Sequence, residues 1–431
     1  MTLENTIVTA RNLDLPSNRA TFGTFPNGNV AKHKPWPQYD EDEIAAVMQV
    51  LQSGRVNSLV HKEQTTAFEK EFANFCGAPY AVATANGTLA LELALRSLGI
   101  GPGDEVVVPA RSFFASVSCI VAVGATPVFA DIEIDSQCID PASVANVVTP
   151  KTKAVICVHL AGWPCDMDAI AAICDKKGIH IIEDCAQAHG AEYRGKKVGS
   201  FGAAAAFSFC TDKIMSTGGE GGMVLLKDQK HWQKAWAYKD HGKNPEKLSA
   251  PSGPNAGFRF IHDNFGSNFR LTEMQAAIGR KQIKKLPVWL EQRHHNANIL
   301  AHELGDIKGI ILPKVPSHIS HSYYKFYAYL DTEILHMASL PTLLPRFAEL
   351  GLPISCGSCP NMSREKAFDG DVHAHATPLP NASQLAETSL MFPCDHLMPE
   401  QKLIDMADAV RSIMDELLND PKVKGVFFAH G

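Results

Sequence analysis

Several features that would direct a functional assignment are missing from this sequence. Basic residues form no tract and the net charge of 431 residues is −6, which gives little support for nucleic-acid binding. No apolar stretch is long enough to span a bilayer, and residues 1–20 contain no apolar signal-peptide core. There is also no fixed-period repeat and no low-complexity segment. We therefore expect a cytoplasmic protein without a nucleic-acid or membrane partner.

Cysteine is present, but it shows no disulfide pattern. The 11 cysteines are odd in number and scattered along a long chain, which favours reduced thiols that mostly fill the core. Cys356 and Cys359 form a CxxC pair that lacks the second pair of a zinc site and the context of a thioredoxin-like motif. His373 and His375 lie near no carboxylate cluster in the sequence. We predict no metal site.

The sequence does contain a regular alternation of short apolar runs and amphipathic segments. Runs such as "YAVATA", "ATPVFADI" and "GIHIIEDC" are rich in β-branched residues and closed by Gly, Pro or an acid, as strands are. Helix-like segments between them, such as "TLALELALRSLG", end in glycine. This alternation predicts an α/β fold with a mostly parallel sheet flanked by helices.

A change of pattern toward the C-terminus predicts a second domain. We place an N-terminal arm at 1–34, a large domain at 35–285 and a small α+β domain at 286–431. One or two long helices are expected within 271–304. The run "HSYYKFYAYLD" alternates as a strand with one exposed face does.

Polar residues lie where predicted strands end, which is where open α/β sheets bind their ligands. In "ANGT", Gly87 permits a close backbone approach, Thr88 adds a hydroxyl, and the following helix start offers N–H groups to a phosphate. An ordinary strand-to-helix turn has the same sequence. Asp184 closes a buried-looking strand, where its carboxylate either needs a charged partner or caps the next segment.

Lys213 lies between two apolar runs, "AAAAFSFC" and "MVLL", although lysine usually lies on the surface. A lysine withheld from water there would be nucleophilic toward an aldehyde. A phosphate site, a strand-end acid and such a lysine, in that order, match the needs of pyridoxal phosphate. The aldehyde would take the lysine as a Schiff base, and the ring nitrogen would pair with the acid.

With these motifs the chain resembles the sugar aminotransferases of the DegT/DnrJ/StrS family, between about residues 35 and 285. The specific combination is "EDCAQAHGA", "GSFG", "FSF" and the lysine followed by a glycine-rich stretch. The resemblance implies a fold type I aminotransferase with a seven-stranded, mostly parallel sheet and pyridoxal phosphate as cofactor. It also implies roles for Lys213 as Schiff-base lysine and proton carrier, for Asp184 at the pyridinium nitrogen, for Gln187 at the ring 3-oxygen and for Phe113 stacked on the ring.

The same resemblance implies a shared phosphate site. Gly87, Thr88 and Ser208 would bind the phosphate from one subunit, and Asn268 would reach it from the other, so the active unit would be a homodimer with composite sites. The family's usual T-T-G-E-G-G stretch is here "STGGEGG", with one extra residue between Lys213 and Glu220. This insertion leaves any role for Glu220 open.

Three further residues are candidates for substrate contact, each with a structural alternative. His159 could touch the sugar or be a satisfied histidine behind the site. Arg270 could bind a carboxylate or phosphate, or pair with a nearby acid. Tyr324 could line a sugar pocket or simply pack.

The resemblance predicts transfer of an amino group from L-glutamate to a keto-sugar nucleotide, a 4-keto- or 3-keto-6-deoxy hexose, for surface polysaccharide or amino-sugar biosynthesis. Two kinds of alternative stay open. One is another reaction of the family, by a sugar dehydratase, a cyclitol aminotransferase or an amino-aromatic synthase. The other is a non-catalytic regulatory protein on this fold.

Overall fold

The computed structural model describes residues 36–249, 261–369 and 378–419. The predicted arm at 1–34 and the histidines at 373 and 375 lie outside these residues. The α-helices are α1 (Glu41–Ser53), α2 (Gln64–Cys76), α3 (Gly87–Ser97), α4 (Ala115–Ala122), α5 (Pro141–Val147), α6 (Met167–Cys174), α7 (Gln229–Lys239), α8 (Pro245–Ser249), α9 (Glu273–Leu304), α10 (Leu340–Glu349), α11 (Pro380–Thr388) and α12 (Glu400–Asn419). The strands are β1 (Tyr80–Thr84), β2 (Glu105–Pro109), β3 (Thr126–Ala130), β4 (Thr152–Val158), β5 (His180–Asp184), β6 (Glu192–Tyr193), β7 (Lys196–Lys197), β8 (Ala204–Ser208), β9 (Gly222–Leu226), β10 (Ile310–Ile311), β11 (Ile319–Ser320), β12 (Phe326–Leu330) and β13 (Ser389–Phe392).

The main sheet has seven strands in the order β1-β9-β8-β5-β4-β2-β3. Only β9 runs against the others, because it pairs antiparallel with both β1 and β8. The remaining pairs are parallel. The predicted α/β class and the mostly parallel seven-stranded sheet are therefore confirmed. The parallel strands all end at one edge of this sheet.

Both faces of the sheet are buried, so the middle residues of its strands are mostly apolar, and polar residues such as Glu105 and Asp184 lie at strand ends. Along β8, Ala204 and Ala206 face the core formed with α3 to α6, whereas Ala205 and Phe207 face a second core formed with α2 and the start of α9. Ala, Cys and Gly line much of β8 and its surroundings, which lets the helices approach closely. No helix within the described ranges is long and apolar enough to cross a membrane.

Helix α9 joins the two predicted domains. Its 32 residues run past the boundary predicted near residue 286 without a break. Ile283 and Leu286 pack in the core beneath the main sheet, whereas Leu300 and Leu304 pack with β12, β13, α10 and α12 in a third core. The boundary predicted between a large and a small domain thus falls inside a continuous helix, and the division itself stays a prediction.

The prediction of an exposed face on the strand in "HSYYKFYAYLD" is wrong. All five residues of β12 are buried, because β12 is the middle strand of the sheet β10-β12-β13. Alternate side chains of β12 point into two different cores, rather than into a core and into solvent. Phe326 and Leu330 face the small-domain core, while Tyr327 and Tyr329 join the core of the large domain.

Candidate active site

The carboxyl edge of the main sheet collects the predicted site residues. The loops after β1, β2, β4, β5 and β8 all leave from this edge. They carry Gly87 and Thr88, Phe113, His159, Gln187 and Lys213 in that order. Parallel topology therefore brings together residues that lie far apart in the sequence, as the rule for ligand sites of open sheets predicts.

Asp184 ends β5 and is almost fully buried. Ser116 donates a hydrogen bond to its Oδ2 at 2.7 Å, and the backbone N–H of Ala186 donates to its Oδ1 at 3.1 Å. Ser112 in turn lies 2.8 Å from the Ser116 hydroxyl. Burial raises the pKa of the Asp184 carboxyl, and these hydrogen bonds oppose that rise without cancelling it. A cation beside Asp184 would restore the charged form.

Gly87 and Ser208 lie against each other where β1 and β8 end, and they form a candidate cradle for a phosphate. A methyl group on Gly87 would meet the Cβ of Ser208 at 2.6 Å, so only glycine fits against that serine. Asn86 caps α3 by accepting from the N–H of Leu89 at 2.9 Å. The N–H groups of Gly87 and Thr88 belong to the first helical turn, where no helical carbonyl can accept from them. This is the geometry that binds phosphate at helix starts.

This cradle predicts a steric effect on cofactor affinity. In Gly87→Ala, the new methyl group forces the helix start away from Ser208, so we expect the dissociation constant for pyridoxal phosphate to rise about tenfold or more. Spectroscopic titration of the apoprotein would measure it. Gly101→Ala is the matched control, because its nearest contact would be an ordinary 3.6 Å. Equal affinities in both variants would contradict the phosphate assignment.

Phe113 and Gln187, the two residues predicted to contact the cofactor ring, lie in loops at the same edge of the sheet as Asp184. The Phe113 side chain is 66% exposed although it is aromatic, and its carbonyl accepts from the N–H of Ser116. Gln187 is buried, and its Oε1 accepts from the N–H of Ala161 at 2.8 Å. With this oxygen occupied, the amide nitrogen of Gln187 is the end that can donate to a ligand.

Lys213 lies in the loop after β8, and both its backbone and its side chain make polar contacts. Its backbone carbonyl accepts from the indole of Trp36 at 2.8 Å. Its Nζ lies 3.4 Å from the carboxylate of Asp212, 3.4 Å from the hydroxyl of Tyr324 and 4.8 Å from the Tyr324 ring centre. The Lys213 side chain is 13% exposed, so it is withdrawn from water as the sequence predicts. Tyr324 lies next to the lysine, where a substrate contact is feasible.

The stretch after Lys213 that contains the extra residue includes two glycines, Gly218 and Gly219, in a tight turn. Gly218 and Gly219 both have positive φ, 82° and 105°, which other residues rarely adopt. The Thr217 hydroxyl and the Gln275 amide both donate to the carbonyl of Glu220, at 2.7 and 2.8 Å. The Glu220 side chain itself is exposed. The turn that contains the extra residue is therefore closed by hydrogen bonds to the Glu220 carbonyl.

His159 is fully buried and has partners for both ring nitrogens. Its Nδ1 accepts from the N–H of Cys165 at 3.0 Å, and its Nε2 lies 3.1 Å from Glu183. Glu183 is also completely buried, and it accepts N–H groups from Gly199, Phe201 and Gly202. This arrangement is the structural alternative that the sequence left open, and a substrate contact by His159 stays a prediction.

Arg270 also has the structural partner that the sequence left open. Its guanidinium binds the buried carboxylate of Asp240 at 2.7 Å, and Lys239 binds the other oxygen at 2.6 Å. A substrate contact by Arg270 stays a prediction. Asn268 is exposed two residues earlier, and the intervening Phe269 carbonyl accepts from the N–H of Ala85 at 2.8 Å.

Two clusters of potential metal ligands in the described part of the chain are already engaged. His159, Glu183 and Cys185 form one, in which Glu183 is occupied by the donors above. Asp40, Asp42 and Glu43 form the other, and all three bind the ammonium of Lys285 at 2.7 Å.

The CxxC pair lies in the small domain as free thiols. The Cys359 thiol lies 3.2 Å from Glu365, and burial together with this carboxylate raises its pKa to about 11. A thiol that stays protonated at neutral pH is a poor nucleophile and a poor metal ligand.

Sequence reasoning missed two residues at this site. Ser116 orients Asp184, and its only signal was its position one helical turn after Phe113. Asp212 contacts Lys213 and Tyr324, and its signal was its place directly before the lysine. The contacts of Ser116 with Asp184 and of Asp212 with Tyr324 cannot be read from the sequence, because these partners lie in distant segments.

The fold is that of the fold type I aminotransferases, as in the solved structures that it resembles. The chain belongs to the DegT/DnrJ/EryC1/StrS aminotransferase family, whose sequence profile matches residues 37–411. The resemblance seen in the sequence is therefore confirmed. The protein is a pyridoxal-phosphate-dependent aminotransferase, and Gly87, Asp184 and Phe113 as found here fit that cofactor.

Named relatives act on sugars and on a cyclitol. A dTDP-3-amino-3,4,6-trideoxy-alpha-D-glucose transaminase from Streptomyces venezuelae is 39% identical over 62% of this chain and 67% of the relative. An L-glutamine:2-deoxy-scyllo-inosose aminotransferase from Streptomyces kanamyceticus is 36% identical over 76% of this chain and 78% of the relative. The crystal structure of an aminotransferase from Psychrobacter cryohalolentis is 43% identical, with a TM-score of 0.85 over 90% of this chain and 100% of that one.

Proposed function

We propose that the protein transfers an amino group from L-glutamate to the ketone of a keto-sugar nucleotide, a 4-keto- or 3-keto-6-deoxy hexose. The amino-sugar nucleotide would serve surface polysaccharide or amino-sugar biosynthesis, in the cytoplasm. The observation that carries the proposal is Lys213, withdrawn from water at the same sheet edge as Asp184 and the Gly87–Ser208 cradle. A transaminase of a dTDP-linked sugar among the relatives supports the substrate class.

The chain's residues divide the work by position. Lys213 would hold the cofactor covalently and carry the proton between the two carbons of the amino transfer. Asp184 would keep a proton on the ring nitrogen, so that the ring can withdraw electrons, which is the chemistry the cofactor supplies. Gln187 would donate to the ring 3-oxygen, and Phe113 would cover the ring face. Gly87, Thr88 and Ser208 would bind the phosphate.

Fewer contacts of this structure bear on the residues that would bind the substrate. Tyr324 is the candidate that the geometry favours, because its hydroxyl lies within 3.4 Å of the Lys213 amine. Arg270 would have to release Asp240 before it could bind a carboxylate or a phosphate. His159 would act through Glu183, behind the site, rather than on the sugar.

A second candidate is amination of a cyclitol ketone with L-glutamine, which the relative from Streptomyces kanamyceticus favours. The test supplies the purified enzyme with L-glutamate or L-glutamine, each with a 3-keto-sugar nucleotide, a 4-keto-sugar nucleotide or 2-deoxy-scyllo-inosose. We expect 2-oxoglutarate and an amino-sugar nucleotide only with glutamate and one of the sugars. Product from the cyclitol alone would overturn the proposed substrate class.

We also propose that the active unit is a homodimer. Ile44, Met48 and Leu51 lie one helical turn apart on α1 and are each at least half exposed, and Phe265 is fully exposed. Exposed apolar faces of this kind mark interaction surfaces. Exposed Asn268 lies three residues from Phe265, so burial of Phe265 against a second copy would bring Asn268 close to the subunit interface.

Subunit mixing tests the composite site. Lys213→Ala and Asn268→Asp should each be nearly inactive, the latter because a carboxylate repels the cofactor phosphate. In a mixed dimer one site collects both changes and the other collects neither. Random exchange should therefore restore up to about a quarter of wild-type activity, since half of the dimers are mixed and each has one intact site.

The matched control mixes Lys213→Ala with Asp184→Asn. Both residues would serve the site of their own subunit, so this pair should not recover activity. If neither mixture recovers although exchange is demonstrated independently, Asn268 acts within its own chain. That result would contradict the composite site and leave the roles of Lys213 and Asp184 intact.

A further inference from the structure

Asp212 directly precedes Lys213 and forms a three-membered cluster with it and with Tyr324. The Lys213 Nζ is 3.4 Å from Asp212 Oδ2 and 3.4 Å from the Tyr324 hydroxyl. The Tyr324 hydroxyl donates a very short hydrogen bond to the same Oδ2. The Cys210 thiol donates to the other carboxylate oxygen at 2.9 Å. Asp212 is therefore bound on both oxygens, with the lysine amine above one of them.

Tyr324 reaches this cluster from a segment more than a hundred residues away, and it is held firmly. Its side chain is buried, and its backbone N–H donates to the Ala161 carbonyl at 2.8 Å. Arg293 donates to the carbonyls of Tyr323 and Tyr324 at 3.0 and 3.4 Å. The Tyr324 ring is thus held in place beside the amine, and its centre lies 4.8 Å from the Lys213 Nζ.

The carboxylate of Asp212 is an anion at any physiological pH. Burial raises its pKa, but the charge of Lys213 and hydrogen bonds from Cys210, Tyr324 and Lys213 outweigh burial and lower the pKa to about 2. About half of the Asp212 side chain is exposed, so water screens part of its attraction for the lysine.

We propose that Asp212 binds the Lys213 amino group in its cationic form whenever the amine is not attached to the cofactor, and that the Tyr324 hydroxyl weakens this interaction. The proposal rests on the role proposed for Lys213, which must leave the cofactor and return to it in every cycle. In this arrangement Asp212 is a positioning residue that keeps the free amine at the site. Tyr324 limits the strength of that hold, because it competes with the amine for the same carboxylate oxygen.

Other titratable groups also surround Lys213, and the test leaves them unchanged. Cys210 belongs to the same loop, and burial raises the pKa of its thiol. Lys325 lies 5.0 Å from the Tyr324 ring, and burial lowers its pKa. Asp184 ends β5 and His189 follows it, and burial lowers the pKa of His189 to about 3, so this ring is neutral.

Two variants should move the protonation of Lys213 in opposite directions. Asp212→Asn removes the anion, so the cationic amine loses its partner and gives up its proton at a lower pH. Tyr324→Phe removes the competing donor, so Asp212 attracts the amine more strongly and the proton is lost at a higher pH. A variant that merely loosened the loop would not produce opposite shifts.

The experiment labels the full-length apoprotein with formaldehyde and cyanoborohydride over a range of pH, and mass spectrometry quantifies methylation of the peptide that contains Lys213. We expect the pH midpoint of labelling to fall by about half a unit to one unit in Asp212→Asn and to rise by less in Tyr324→Phe. Asp212→Ser should shift it in the same direction as Asp212→Asn. Asp228→Asn is the control, since that carboxylate is 59% exposed and caps α7 at the opposite edge of the sheet.

Unchanged midpoints, or shifts of one sign in Asp212→Asn and Tyr324→Phe, would overturn the proposal. The outcome is separable from that of the proposed function. If Lys213 carries the cofactor but the midpoints do not move, only the role of Asp212 and Tyr324 fails. If the midpoints move as expected but another lysine carries the cofactor, the cluster binds the amine while the function proposed for Lys213 fails.

Discussion

The Lys213→Ala variant is expected to fold and to lose at least about a thousandfold in turnover, because the amine that carries the proton is gone. Folding should persist, since the interaction that anchors this residue is made by its backbone carbonyl with Trp36. The variant can still bind the cofactor through its phosphate and ring, but not covalently. After borohydride treatment and dialysis it should therefore retain no cofactor, whereas the wild-type protein should.

Lys234→Ala is the matched control for this prediction, because Lys234 is exposed on α7, away from the site. Circular dichroism and thermal melting would verify that both variants are folded. Near-native turnover in Lys213→Ala, or stable cofactor attachment after reduction, would rule out Lys213 as the catalytic lysine.

The second large effect concerns Asp184. The Asp184→Asn variant keeps the shape of the side chain and an oxygen to accept from Ser116, but it removes the charge that would hold the proton on the ring nitrogen. Loss of a preorganised electrostatic group of this kind typically costs about a hundredfold or more in turnover. Cofactor affinity should fall less, because phosphate and ring contacts remain. Steady-state kinetics and cofactor titration would separate the two effects.

Asp131→Asn is the matched control for Asp184→Asn. Asp131 also follows a strand of the main sheet and is also buried, but its carboxylate accepts the N–H groups of Asn381 and Ala382 at the start of α11. Its replacement should affect stability and leave turnover per folded enzyme nearly unchanged. Unchanged turnover in Asp184→Asn would contradict the catalytic role and would mean that Asp184 only caps the segment after β5.

Most of the fold and the placement of the site followed from the sequence for a simple reason. Apolar runs closed by polar residues mark strands and their ends, and parallel strands end at one edge. Gly87, Asp184 and Lys213 could therefore be expected close together without any knowledge of the strand order. Helix starts could also be expected, because capping contacts join residues that are close in the sequence, such as Asn86 and Leu89 at the start of α3.

The contacts that were missed depend on partners far along the chain. Asp212 contacts Tyr324, His159 contacts Glu183, and Arg270 contacts Asp240. In each case the sequence indicated the chemical type of the side chain but not its partner. The strand β12 illustrates the same limit, because an alternating pattern reports two different faces but cannot say whether the second face meets water or another core.

The most direct test of the account is to locate the cofactor on the chain. The holoenzyme would be reduced with borohydride and digested, and mass spectrometry would identify the peptide that carries the pyridoxyl group. We expect one modified residue per chain, Lys213, and no modification when L-glutamate is added before the reduction, because the donor releases the lysine. Modification of a different lysine, or modification that glutamate does not prevent, would contradict the proposed aminotransferase mechanism at this site.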